Sequence, residues 1–108
     1  MADGQAGRPW TEVEVQVLLD AYFQMLMWEL DGRAFVKADV RGGVGSELPA
    51  RSDKSIEFKW CNVSAVLDEM DLPWIQGYRP LPNYQRSLVR RVDDWLNERP
   101  DVRSRLGH

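Results

Sequence analysis

Residues 51–67 read RSDKSIEFKWCNVSAVL, and this stretch decides whether the chain is built from helices. Ile56, Trp60, Val63, Leu67 and then Met70 recur at steps of four and three, the period of one helix face, and no step-of-two alternation competes with it. Ser52 stands where an N-cap belongs, and Asp53 meets the positive end of the helix dipole in the first turn. The stretch predicts a helix from about residue 53 to residue 70. Arg51, Lys54, Lys59 and Asn62 are left off its inward stripe. Either these four side chains read a ligand or they complete the surface of a structural helix, and the functional question turns on them.

Upstream, Thr11-Glu12-Val13-Glu14 has the form of a capping box, with Trp10 placed before it as a hydrophobic staple. Val13, Val17, Leu18, Ala21, Tyr22, Met25, Leu26 and Leu30 then give one wide apolar face, and Gly32 ends this first helix. Phe23, Met27 and Trp28 fall off that face, so the helix is expected to be covered on more than one side. In residues 33–50, Val36, Val40, Val44 and Leu48 keep a step of four. Gly42, Gly43 and Gly45 each cost a helix up to about 1 kcal/mol against Ala, so a short or broken second helix is expected, ending before Pro49.

Downstream, DLPWIQGYRPLPNY (71–84) has three prolines and a glycine, yet carries Trp74, Ile75, Tyr78 and Tyr84. These are too many large apolar groups for a solvated linker, so an ordered strap is expected. Asn83 can cap a last helix whose apolar face is Leu88, Val89, Val92, Trp95 and Leu96, stopped at Pro100. The resulting expectation is an all-α, compact four-helix domain over residues 10–99, with a helix-turn-helix-like core and an ordered Pro-rich loop before the last helix. A disordered leader over 1–9 and a flexible tail over 100–108 flank it.

Composition narrows the function classes. The 108 residues are 44% hydrophobic with five tryptophans, which opposes disorder. No run approaches the roughly 20 apolar residues of a membrane span, and MADGQAGRPW lacks the basic and hydrophobic regions of a secretory signal, so a cytoplasmic protein is expected. Cys61 is the only cysteine and His108 the only histidine. That composition excludes an intrachain disulfide and leaves no Ser-His or Cys-His pair away from the terminus. No carboxylate pair stands in a recognisable motif. The expectation is a non-enzyme with no cofactor and no metal.

The formal net charge of −3 is unevenly spread. Residues 1–32 carry one basic and six acidic groups, whereas residues 33–91 carry ten basic and seven acidic. The positive charge gathers around the quoted stretch, and clustered Lys and Arg are what phosphate binding requires.

A capping box opening the first helix, a short second helix, and Arg51-Ser52 opening a long third one resemble the layout of a Myb or SANT type helix-turn-helix. In such folds the third helix lies in the major groove. A more detailed resemblance covers residues 9 to about 96. PWTEVEVQVLLDAYFQML, RSDKSIEFKWCNVSAVL and DLPWIQGYRPLPNYQRSLV are similar to the N-terminal helical module of bacterial restriction- and defence-associated proteins, including those with HNH endonuclease domains. There a segment R-S-x-x-S-I-E-x-K-x-x-N-I-S-A-V-L precedes P-W/Y-I-x-G-Y-K/R-P-x-x-N-Y/F-Q. The resemblance implies a DNA-binding module, sensing modified DNA, that targets a nuclease partner or fused domain. This chain departs from the pattern at Trp60-Cys61, where a polar pair such as His-Gln is expected, and in its Gly-rich residues 42–45. Within these 108 residues the single histidine, His108, does not make an HNH site.

The DNA-contact candidates are Lys37, Arg41, Arg51, Lys54, Lys59, Asn62, Arg79, Tyr84 and Arg86. Arg51, Lys54 and Lys59 could meet phosphate or form a solvated face. Asn62 could read an adenine edge or bond a backbone carbonyl of the proline loop. Tyr78, Arg79, Tyr84, Gln85 and Arg86 suit stacking on an exposed base, or the two tyrosines staple the loop with hydroxyls facing water. Arg90 and Arg91 extend the basic edge. Ser52 and Ser55 read better as caps than as ligands. A second function stays open, a protein-interaction module in which the Trp and Met surface docks a partner or a second copy as a homodimer.

Overall fold

Five helices account for the regular structure of residues 9–107, which are the residues the structure, a computed structural model, describes. They are α1 (Glu12–Leu30), α2 (Lys37–Glu47), α3 (Asp53–Glu69), α4 (Arg86–Asn97) and α5 (Pro100–Arg105), with no strand among the described residues. The all-α expectation is met. Apart from Pro9, the leader lies outside the described residues. The chain divides into two units, residues 1–60 and 61–108, with α3 running through the division.

In the first unit α1 opens on the capping box. The Glu14 amide donates to Thr11 Oγ1 at 3.1 Å and the Thr11 amide donates to Glu14 Oε1 at 3.0 Å. The helix closes on Gly32 at φ 71°, with the Arg33 amide donating to the Trp28 carbonyl and the Gly32 amide to the Glu29 carbonyl. That is the Schellman arrangement, which needs the left-handed backbone glycine adopts without strain. The buried face is Val15, Leu18, Leu19, Tyr22, Phe23, Met25 and Leu26. It is rotated from the expected one, since Val13 and Leu30 are exposed at 73% and 41% and Phe23 is buried. Val13 sits in the first turn, where the capping geometry turns it outward.

The second helix, α2, packs on α1 and runs unbroken through its three glycines. Only Val44 of α2 is buried, and Leu48 closes the helix as a second apolar anchor. α3 starts at Asp53 with the Ser55 amide donating to Ser52 Oγ at 3.1 Å, the expected cap. Trp60, fully buried, donates its indole N–H to the Leu18 carbonyl at 3.1 Å, so this large side chain is fixed in orientation as well as sequestered. A polar residue at that position would lose the burial, worth roughly 1.5–3 kcal/mol for a large apolar side chain.

In the second unit every residue of α3 from Asn62 to Leu67 is buried. The helix ends with Asp71 in the left-handed region at φ 59°, the Leu72 amide donating to the Leu67 carbonyl and the Asp71 amide to the Asp68 carbonyl. This is a second Schellman closure, made with Asp where glycine would be unstrained. Residues 72–85 form the ordered strap, with Ile75 and Tyr78 buried. α4 is capped at Gln85 rather than Asn83, and no side chain bonds its first amides. Its buried residues are Leu88, Val92, Trp95 and Leu96. Pro100 does end α4 but does not open a flexible tail. It stands in the first turn of α5, where its missing N–H costs nothing, and α5 packs on α4 with Leu106 buried. No helix among the described residues is long and apolar enough to cross a membrane.

Candidate nucleic-acid interface

The structure sorts the nine candidate side chains by their partners. Arg51 is buried at 7% exposure. Its Nε donates to Glu14 Oε2 at 3.0 Å, and its Nη2 donates to Glu14 Oε1 at 2.8 Å and to the Pro9 carbonyl at 2.8 Å. The Arg51 guanidinium carbon also lies 4.5 Å from the centre of the Trp10 ring, with Lys59 Nζ 5.7 Å from the same ring. Trp10 therefore meets two cations. The Arg51 fork, followed by the capping-box bonds of Thr11, pulls the Glu14 carboxyl down to about 2, against the opposing effect of burial. Burial, then the charge of Arg51, holds the Lys59 ammonium below its ordinary range. Arg51 is thus a structural tie between the starts of α1 and α3, its buried bidentate pair with Glu14 committing Nε and Nη2 to the fold.

Asn62 is likewise held by the fold. It is 3% exposed, and its amide donates to the Leu81 carbonyl at 2.7 Å while the Leu81 amide donates to the Cys61 carbonyl at 3.1 Å. Of the two roles open to it, the structure holds it in the one on the proline loop, where it pins the strap by its main chain. Arg41 is also occupied, its Nη1 donating to Glu57 Oε2 at 2.6 Å with Asp53 3.6 Å from its Nε. Tyr84 is half-buried, and its hydroxyl donates to the Glu69 carboxylate, which raises the phenol's pKa chiefly through that hydrogen bond. Trp74 Nε1 reaches Asp68 at 3.3 Å. Tyr78 is buried together with its hydroxyl, which therefore does not face water as expected.

Lys37, Lys54, Arg79 and Arg86 remain exposed. Arg79 and Arg86 belong to a feature that single-residue inspection misses. From Leu72 to Val92 the chain carries four arginines and no acidic residue. Three of them, Arg79, Arg86 and Arg90, are exposed and have no carboxylate partner among the described residues. Arg86 opens α4, and Arg90 follows one turn later on the same side, about 6 Å along the axis. In contrast, Arg99 stacks on Trp95 at 4.1 Å beside Glu98, and Arg103 pairs with Asp93 at 3.3 Å. The strap that carries Arg79 is fixed at Leu81 by Cys61 and Asn62 and at Tyr84 by Glu69. It therefore presents its cation from a braced backbone, which lowers the ordering cost of binding. Phe58, 49% exposed on α3, is legible in the sequence too, since it lies two residues from both Ile56 and Trp60 and so cannot share their face. Comparison with protein-family models, with curated proteins and with solved structures finds no match for this chain.

Proposed function

We propose that the chain is a nucleic-acid-binding module whose contacts are Arg79 of the strap and Arg86 and Arg90 of α4. The observation that carries this reading is the acid-free run 72–92, with three exposed arginines that lack carboxylate partners among the described residues. Unpaired guanidinium groups release counterions when they meet phosphate, whereas the paired Arg41, Arg51 and Arg103 would first have to give up a carboxylate. Lys54, exposed in the first turn of α3, is a separate candidate contact of the first unit. The resemblance of the two long motifs extends the proposal to a targeting part of a bacterial restriction or defence system, acting with a nuclease partner or fused domain and directed at modified DNA.

Fluorescence anisotropy against labelled DNA over a series of salt concentrations tests this reading. Binding at low salt, weakening as salt rises and abolished in Arg79→Glu/Arg86→Glu, supports it; a charge-reversed protein that binds as well as the parent refutes it. A second reading, a protein-interaction module, rests on the exposure of Val13, Val36 and Phe58 in the first unit at 73%, 58% and 49%. Sedimentation showing self-association, with no DNA bound at low salt, selects that reading instead.

A further inference from the structure

We infer that the Arg79–Arg90 site takes an unpaired strand, with Asn83 and Gln85 hydrogen-bonding exposed base edges while Arg86 and Arg90 follow one phosphate run. The inference rests on the nucleic-acid reading above and narrows it to a substrate class. Three observations carry it.

The first is what is missing for a duplex groove. The helix whose position in the chain resembles a groove reader is α3, and its residues 62–67 are buried. Its exposed beginning offers Lys54 beside Asp53 and Glu57, two carboxylates held on Arg41. Together with Lys54 and Arg41 this cluster carries two basic and two acidic groups, so it offers phosphate no net positive charge.

The second is the length of the positive surface on α4. After Arg86, Arg90 and Arg91 the helix meets Asp93 and Asp94. The acid-free part of α4, from Arg86 to Val92, extends only about 9 Å at 1.5 Å per residue. Two arginines one turn apart on one line fit a single backbone.

The third is the pair of amides. Asn83 and Gln85 are exposed, and neither has a side-chain partner among the described residues. Gln85 occupies the N-cap position of α4 without capping it. In duplex DNA the base edges lie at the floor of a groove about 8.5 Å deep, beyond an Asn side chain projecting from a braced loop. In a single strand the edges are free to come to the loop, and amides pair with them at either face.

The test compares the full chain on a single-stranded oligonucleotide, the same oligonucleotide annealed to its complement, and an abasic strand of equal length. The expected result is single-strand binding about tenfold or more tighter than duplex binding, the value of one good base contact. The abasic strand should bind about tenfold more weakly than the normal strand, and Asn83→Ala/Gln85→Ala should remove that difference while leaving the salt dependence unchanged. Arg86→Ser/Arg90→Ser should weaken all three and flatten the salt slope, by about 0.7 for each single-strand phosphate no longer neutralised. Circular dichroism checks that each variant keeps its helices. Equal or tighter duplex binding that still needs Arg86 and Arg90 overturns this inference and leaves the nucleic-acid reading standing. Failure of every oligonucleotide to bind at low salt overturns both.

Discussion

Glu14 takes part in two bonding systems at once. It closes the capping box with Thr11 and receives the fork of Arg51, and a single carboxylate in both roles makes the start of α1 sensitive to its protonation. With a folded value near 2 against an ordinary value of 4.5, its contribution to stability is complete above about pH 4.5 and is lost as pH falls through about 2. Urea denaturation at stepped pH should show the parent losing stability over that window, while Glu14→Gln, less stable at neutral pH, should lose less there. Arg51→Ala should cost about 3–5 kcal/mol, because it strands the Glu14 charge where water is scarce. Asn62→Ala should cost about 1–3 kcal/mol by leaving the Leu81 carbonyl without its donor, and the loosened strap should weaken DNA binding with no change in charge. A matched pair of denaturation and anisotropy measurements on Asn62→Ala checks both parts. All three residues stand inside motifs that the sequence displays, but their roles are not visible there. A sequence places Arg51 at the head of a helix and cannot say that residue 14, 37 positions away, lies opposite it.

Among the elements, the three long helices are legible from their apolar period, with cap signals that agree in α1 and α3 but not in α4. Ser52 and the Ile56–Leu67 stripe fix α3, and Thr11, Glu14 and Gly32 fix α1. What cannot be read is the continuity of α2 and the existence of α5. Glycines at 42, 43 and 45 lower local helix propensity, but packing of α2 on α1 through Val44 outweighs a deficit of that size. The six residues of α5 are too few for periodicity to show, and Pro100 reads equally as a stop or as a first turn. The glycines of α2 therefore leave stability unused. A Cβ at Gly42 or Gly43 meets nothing within 4 Å. Gly42→Ala and Gly43→Ala should each raise stability by up to about 1 kcal/mol, seen as a higher denaturation midpoint at constant m-value.

For the molecule as a whole, net charge misleads and charge placement informs. A chain of net −3 holds its cations in two states. Arg41, Arg51 and Arg103 are neutralised by carboxylates within their own units, and Arg79, Arg86 and Arg90 stand clear of any acid in the run 72–92. The residues of RSDKSIEFKWCNVSAVL that make the motif distinctive, Arg51, Glu57 and Asn62, are largely those that hold the fold. The arginines without a carboxylate partner among the described residues lie in the segment after it, where the sequence shows the cluster but only the structure shows which of them are unengaged. Single-site electrostatics makes this separable. Reversing charge at Arg51 should unfold the first unit, whereas reversing it at Arg79 or Arg86 should leave thermal stability within about 0.5 kcal/mol, as for other surface changes. The decisive experiment is the salt dependence of DNA affinity for the parent and for Arg79→Glu/Arg86→Glu. The logarithm of the parent's affinity should fall linearly with the logarithm of salt concentration, and the double variant should stay folded with no measurable affinity. A parent that binds no DNA at low salt, or a double variant that binds with the parent's affinity and slope, would refute the nucleic-acid reading.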